Sequence, residues 1–417
     1  MSKLAPTTAT DRIVELDILR GFALFGIVMV NVQFMGLPFY KVLTDLHPFS
    51  DPASIAGRTL ITIFFEGKFI TLFSFLFGLG FWIFASRARD KGYKAGPLFL
   101  RRIFILAIIG AAHAVLFWAG DILLPYAVLG LFLMLFLNRS TKTVKVWMIL
   151  FPVFQILLML LLVLLLQIGL SIPEARDAIL ADFDETRQQM EQMALSANQI
   201  YSSSNWIAMI PIRLQELGFA YQGFIFSGMG IFYLMGLFLA GMLAGRNGWF
   251  SNLEQKLPKI RKRLPWLLLL GIACAIAKYW LFQQTDLMLP DWSSAGYMIF
   301  AIIGSPLLIA AYASLLILGY YRWKDAAFWN YITAAGRMSL TVYLTQTLIL
   351  TTIFYGYGLG LYGSVPVPGM LLMALGVYAL QLVAARWWMQ HFYMGPFEWL
   401  WRAATYGSAS RFRKREE

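Results

Sequence analysis

The chain has 417 residues, 59% hydrophobic and 13% charged, with a formal net charge of +12. Soluble domains carry roughly a quarter charged residues, so this balance excludes an ordinary soluble globular protein. A single cysteine, Cys274, excludes a disulfide framework and a Cys-based metal cluster, and is expected to serve packing.

Apolar runs near the 20 or so residues needed to cross a ~30 Å hydrocarbon core place ten helices at 18–37, 59–85, 102–119, 121–138, 146–170, 217–244, 265–283, 296–320, 338–358 and 367–391. The predicted class is all-α: a polytopic membrane helical bundle of about ten transmembrane helices, one domain over 1–417. The polar start, "MSKLAPTTATDRIVELD", lacks the apolar core and cleavage site of a signal peptide, so the first helix is expected to persist.

At the start of the first helix, Asp17 and Arg20 are one turn apart, close enough for their side chains to meet. They read as an interfacial ion pair, or as an anion site in which Arg20 joins Arg101 and Arg102 at the start of the third helix. An ionisable group in hydrocarbon costs at least ~2.5 kcal/mol and normally faces the bundle interior with a partner. The rise of 1.5 Å per residue puts Asn31 about 9 Å, Glu66 about 10 Å, Lys68 about 13 Å and His113 about 9 Å from one face. Lys278 in the seventh helix lies about 8 Å from that face, and Asp121 sits at the turn just above His113. This shared depth predicts a polar cavity in the outer half.

Each residue also has a plainer role. Asn31 serves as interhelical glue, His113 packs against a carbonyl, Glu66 and Lys68 form a structural ion-pair set, and Asp121 after Gly120 is turn and cap chemistry. Glu66 and Lys68 are two apart and point different ways, so they need partners on other helices, His113 and Asn31 being the natural candidates. The glycines of "FGLGF" (77–81) read as small residues that let helices approach.

The long connector 171–216 is acidic and Gln-rich, with helical spacing of its apolar residues. It predicts an extracytoplasmic amphipathic helix, either a solvated surface or a cap over the outer cavity. In "GRMSLTVYLTQTL", Arg337 stands at a helix entrance while Tyr343 and Gln346 share one face, with interhelical hydrogen bonding as their plain explanation. His47 and His391 have no evident set of partners. There is no Walker loop, no HExxH and no nucleophile elbow, and no metal is expected.

Alternate connectors and both termini hold 25 Lys/Arg, the opposite connectors five. The positive-inside rule then puts both termini in the cytoplasm. The basic loop "KLPKIRKRLPW" and tail "RFRKREE" are assigned to anionic lipid headgroups, and no nucleic-acid partner is expected.

The segments "LDILRGFALFGIVMVN" (16–31), "GKFITLFSFLFG" (67–78), "HAVLFWAGDILLPYAVLG" (113–130), "GRMSLTVYLTQTLILTTIFY" (336–355) and "GPFEWLWR" (395–402) resemble the YeiB-like family of bacterial inner-membrane proteins. A weaker likeness extends to transmembrane acyltransferases such as heparan glucosaminide N-acetyltransferase, carried by Asp17, Arg20, Gly21, Val30 and Asn31. It implies acyl-CoA, such as acetyl-CoA, as donor, an active-site role for Asn31 and a donor-side role for Arg20. The histidine differs from that pattern: only His47 follows Asn31, sixteen residues on.

Two functions follow as expectations. In the first, an acyltransferase moves an acyl group from cytoplasmic acyl-CoA to an envelope glycan or lipid. His113 is the base, Glu66 or Asp121 orients it, Asn31 or Lys68 stabilises the oxyanion, and Arg20, Arg101 and Arg102 hold phosphates; Arg337, Tyr343, Gln346 and Lys278 join the substrate site. In the second, a transporter or exporter of a small solute or lipid-linked substrate uses Glu66, Lys68, His113 and Lys278 as a relay. The sequence leaves a homo-oligomer open.

Overall fold

The computed structural model describes residues 12–43, 48–226, 230–286, 289–407 and 412–414. The polar start before Arg12, His47 and most of the basic tail lie outside these. The described residues form helices α1 (Val14–Gly36), α2 (Phe39–Leu43), α3 (Pro52–Phe64), α4 (Lys68–Asp90), α5 (Ala95–Leu116), α6 (Leu123–Met134), α7 (Thr141–Ser171), α8 (Pro173–Tyr201), α9 (Met209–Phe226) and α10 (Ile231–Arg246). There follow α11 (Leu257–Phe282), α12 (Trp292–Arg322), α13 (Phe328–Arg337), α14 (Ser339–Phe354), α15 (Val367–His391) and α16 (Pro396–Tyr406).

Among the described residues, seven helical stretches are long and apolar enough to cross a membrane, which makes the chain a multi-pass membrane protein. In hydrocarbon every backbone polar group needs an internal partner, and a helix supplies them all. Three shorter apolar helices, α6, α10 and α14, occupy stretches where the sequence placed spans. The central helix is α1: 61% of its most apolar stretch is buried in the bundle, against 17% for α7 and α11, which turn their sides outward.

Polar residues set the helix starts. Asp51 accepts the Ser54 amide at 3.0 Å to cap α3, Ser140 caps α7 through the Thr143 amide, and Asp291 and Ser294 form a capping box on α12. Close packing is set by glycine. Gly78 lies against the Phe238 carbonyl and Gly241 against the Phe75 carbonyl, so α4 and α10 meet backbone to backbone. Gly80, by contrast, has no atom within 4 Å of where a Cβ would stand, so of the pair in "FGLGF" only Gly78 serves helix approach. Cys274 packs on Gly304, as expected of a packing residue.

One helix expected to be continuous is broken. The stretch 59–85 splits at Phe65–Gly67, where Gly67 adopts φ 82°, a left-handed conformation that costs glycine little. At 338, where the sequence placed a helix start, α14 begins at Ser339, and α13 occupies the connector before it. The new helix start is capped by Glu398, whose Oε1 accepts the amides of Leu340 at 2.7 Å and Thr341 at 3.0 Å and whose Oε2 accepts the Thr341 hydroxyl at 2.6 Å. A carboxylate at a helix N-terminus also meets the favourable end of the helix dipole. In the connector 171–216, α8 runs for 29 residues and buries Ala194, Ala197 and Tyr201.

Candidate functional site

Among the described residues, two cavities enter the bundle from opposite ends of α1 and α4. The larger, about 770 Å³, is a basic vestibule lined by the start of α1 and the end of α4. The smaller distal cavity, about 440 Å³, is lined by the end of α1 and the start of α4.

The vestibule carries Arg12, Arg20, Arg87, Lys91, Arg102, Arg337 and Arg402 against Asp17, Asp90 and Glu398. Two of those carboxylates are already engaged. Asp17 lies between Arg12 at 2.9 Å and Arg20 at 3.0 Å, and Glu398 holds the start of α14. The remaining excess of positive charge faces the cavity. Burial pulls the Arg402 pKa below the usual arginine range; nearby Arg12 and Arg20 add to this, and Tyr406 and Glu398 oppose it. Arg102 is stacked at 3.7 Å on Trp401 and at 5.5 Å on Phe84, and the Trp401 indole N–H donates to the Arg102 carbonyl at 2.9 Å. Such stacking fixes the plane of the guanidinium fork.

Below this rim the vestibule becomes apolar. Phe73, Phe77, Gly80, Phe84 and Arg87 follow one face of α4 at three- and four-residue spacing, so the wall runs about 20 Å from the basic rim inward.

The distal cavity brings together Asn31, Glu66, Asp121, Lys278 and Tyr343, which the sequence had placed in the site. Lys278 Nζ lies 3.1 Å from Glu66 Oε1, the Tyr297 hydroxyl donates to the same oxygen at 3.0 Å, and the ammonium stands 5.1 Å over the Tyr297 ring. The partners of Glu66 are thus Lys278 and Tyr297 rather than His113 or Asn31. Lys68 lines neither cavity: it is buried and donates to the Thr62 carbonyl at 2.9 Å, closing the end of α3 at the break.

His113 stands behind the cavity wall. Its Nδ1 is 2.8 Å from Asp121 Oδ1 and its Nε2 is 3.0 Å from Thr347 Oγ1. Asp121 Oδ2 accepts the Leu124 amide at 2.7 Å, so the carboxylate caps α6 and holds the imidazole together. Asp121, and not Glu66, is the residue that orients the ring.

Arg101 and Arg102 part company because adjacent helical residues lie about 100° apart. Arg102 faces the vestibule, whereas Arg101 is exposed and lies beside Gly407. Arg20 and Arg337 line the vestibule as expected. Gln346 is buried and donates to the Leu24 carbonyl at 3.4 Å, one helix-to-helix bond. His391 is exposed and bonds the Trp387 carbonyl at 2.9 Å.

Tyr126 and Tyr343 line both cavities. Tyr126 is anchored by Ser74 at 2.7 Å and by donation to the Ile70 carbonyl at 3.2 Å. Tyr343 accepts the Ile122 amide at 3.4 Å and its ring centroid is 5.3 Å from that of His113. Sequence reasoning missed Tyr126, Tyr297, Arg12, Arg87, Arg402 and Trp401. For Arg87 a signal existed in the α4 stripe, and for Arg12 in its place five residues before Asp17; for the others it lies in long-range contacts.

These features define a multi-pass helical membrane protein with a basic vestibule and a distal carboxylate–lysine cavity divided by two tyrosines. The chain belongs to the YeiB-like family, and its residues 244–408 match the domain described as a protein of unknown function, DUF418. It is 33% identical over 426 residues to the uncharacterized protein YxaH of Bacillus subtilis, covering 97% of both chains. It is 29% identical over 406 residues to the uncharacterized protein YeiB of Escherichia coli, covering 96% of this chain and 97% of that one.

Proposed function

We propose that the protein is a transmembrane acyltransferase of the bacterial inner membrane, with ten spans and both termini in the cytoplasm. In that orientation the vestibule opens to the cytosol and the distal cavity faces away from it. The observation that carries this reading is the shared wall: Tyr126 and Tyr343 border both cavities. A donor whose anionic head stays among the vestibule arginines presents its acyl group at the wall beyond which the acceptor binds.

The donor is acyl-CoA, its phosphates matched to Arg12, Arg20, Arg102 and Arg402 by charge and by the fork geometry of guanidinium. An acceptor hydroxyl or amine attacks the thioester carbonyl carbon. The new bond to carbon forms, the carbon–sulfur bond breaks, and CoA leaves as the thiol. Asp121, whose carboxylate lines the cavity, takes the acceptor proton and hands it on to the departing sulfur, while His113 Nδ1–H donates to the same carboxylate at 2.8 Å and holds it in place. The Asn31 amide donates to the carbonyl oxygen as charge develops.

The test is incubation of the purified protein with radiolabelled acetyl-CoA and a panel of envelope glycans and lipids. Labelled product with stoichiometric release of CoA supports the reading. Solute flux coupled to a proton gradient, with the thioester intact, replaces it with transport by a Glu66–Lys278 relay.

A further inference from the structure

The lining of the distal cavity distinguishes between the two acceptor classes, glycan and lipid. We infer that its occupant is a lipid-type molecule, one nucleophilic hydroxyl or amine on an apolar body, and not a free glycan. As an acceptor this occupant rests on the acyl-transfer reading; as a ligand of the cavity it stands on the lining alone.

A sugar brings a hydroxyl on most of its ring carbons, and each one buried without a partner costs free energy. The polar side chains here are largely committed elsewhere. Glu66 and Lys278 bind each other, with Tyr297 on the same carboxylate oxygen. Asp121 uses one oxygen on His113 and the other on the Leu124 amide. Arg58 donates to the Phe49 carbonyl at 2.6 Å. Apart from Asn31, Gln33, Thr62 and the two tyrosines, what remains of the wall is mostly apolar, with Ile27, Val30, Phe34, Phe39, Phe65 and Phe282 among its lining.

The size, about 440 Å³, suits one small ligand or the head and upper chain of a lipid. An apolar body gains about fourfold in affinity for each methylene removed from water. Its single nucleophile needs only the Asp121–Asn31 corner. In the transfer the lipid oxygen or nitrogen bonds the acyl carbon, the thioester carbon–sulfur bond breaks, and the nucleophile's proton goes to Asp121 and from there to the sulfur, so that CoA departs as the thiol.

The probes are a long-chain monoacylglycerol with a diazirine in its chain and a diazirine-tagged tetrasaccharide, each photolysed with the purified full-length protein and mapped by peptide mass spectrometry. The expected result is lipid adducts on peptides holding Phe34, Phe65 or Phe282. These adducts are reduced at least tenfold by excess unlabelled monoacylglycerol, unchanged by the saccharide, and lost in Val30→Trp, which fills the space. Where Val30→Trp does not fold, the competition decides.

Saccharide adducts on those peptides, or lipid adducts confined to outward-facing positions such as Leu372 and Leu380, overturn the inference. Adding radiolabelled acetyl-CoA separates the two levels. Label on the lipid supports both the occupant and the reaction. Cavity adducts without any labelled product keep the lipid occupant and remove acyl transfer, while label on the saccharide overturns the lipid class.

Discussion

Lys278 on α11 and Glu66 in the break between α3 and α4 meet at 3.1 Å across a long separation in sequence, with the lysine side chain 3% exposed and the glutamate 27% exposed. Removing one partner of a buried pair leaves an uncompensated charge, at a cost of about 3–5 kcal/mol, whereas removing both costs far less. Lys278→Met is therefore expected to lower the thermal midpoint in detergent strongly, and Lys278→Met with Glu66→Gln to recover most of the loss. Strict additivity of the two single effects would show that the pair does not couple.

His113 and Asp121 are expected to act as one unit. If Asp121 takes the acceptor proton, Asp121→Asn lowers acyl transfer by about 10²–10⁴ fold, and His113→Gln lowers it by a similar factor. The double variant is then no worse than either single one, as for groups that work together. Multiplying losses in the double variant would separate their roles.

Two glycines of α4, two residues apart and so on different faces, predict opposite responses. Gly80 has open space where a Cβ would stand, so Gly80→Ala is expected to stabilise the helix by about 0.5–1 kcal/mol. Gly78→Ala pushes a methyl into the Phe238 carbonyl and is expected to destabilise, by about 1–3 kcal/mol. Thermal melts of the two variants decide it, and equal shifts would contradict the close α4–α10 contact.

At the base of α8, burial pushes the Glu216 carboxyl up to about 7, against the downward pull of the Tyr201 hydroxyl and Arg213. The Tyr201 hydroxyl donates to it at 2.6 Å. For an acid whose folded pKa is raised, the folded state holds more protons than the unfolded one between the ordinary carboxylate value and about 7. Stability therefore falls as pH rises through that window, and is level above it. Melting midpoints measured from pH 5 to pH 8 should show this fall in the native chain and lose it in Glu216→Gln; a flat native profile would contradict it.

Much of this arrangement could be read from the sequence because depth along a helix follows directly from residue spacing. Asn31, Glu66, Lys68, His113 and Lys278 were placed near one level by the rise per residue, with Asp121 at the turn above; Asn31, Glu66, Asp121 and Lys278 line one cavity, while His113 stands behind its wall and Lys68 lines neither cavity. Direction around the helix axis was harder to read. The stretch through Phe64, Phe65 and Glu66 is apolar enough to pass as continuous helix, so the left-handed Gly67 that turns Lys68 toward Thr62 gives no local sign. Partners are harder still: Glu398 caps a helix start 58 residues away from it, and Tyr297 reaches Glu66 over 231 residues. No pattern within a window of sequence encodes such contacts, which arise only when the helices pack.

The central claim is that a donor in the vestibule serves an acceptor on the other side of the Tyr126–Tyr343 wall. The most direct measurement uses sealed vesicles with the protein in known orientation and radiolabelled acetyl-CoA supplied to one face only. Labelled acceptor should form when the donor meets the vestibule face, appear on the opposite face, and fall sharply in Arg102→Ala. Label formed equally from either face, or an intact thioester under both conditions, would contradict the account.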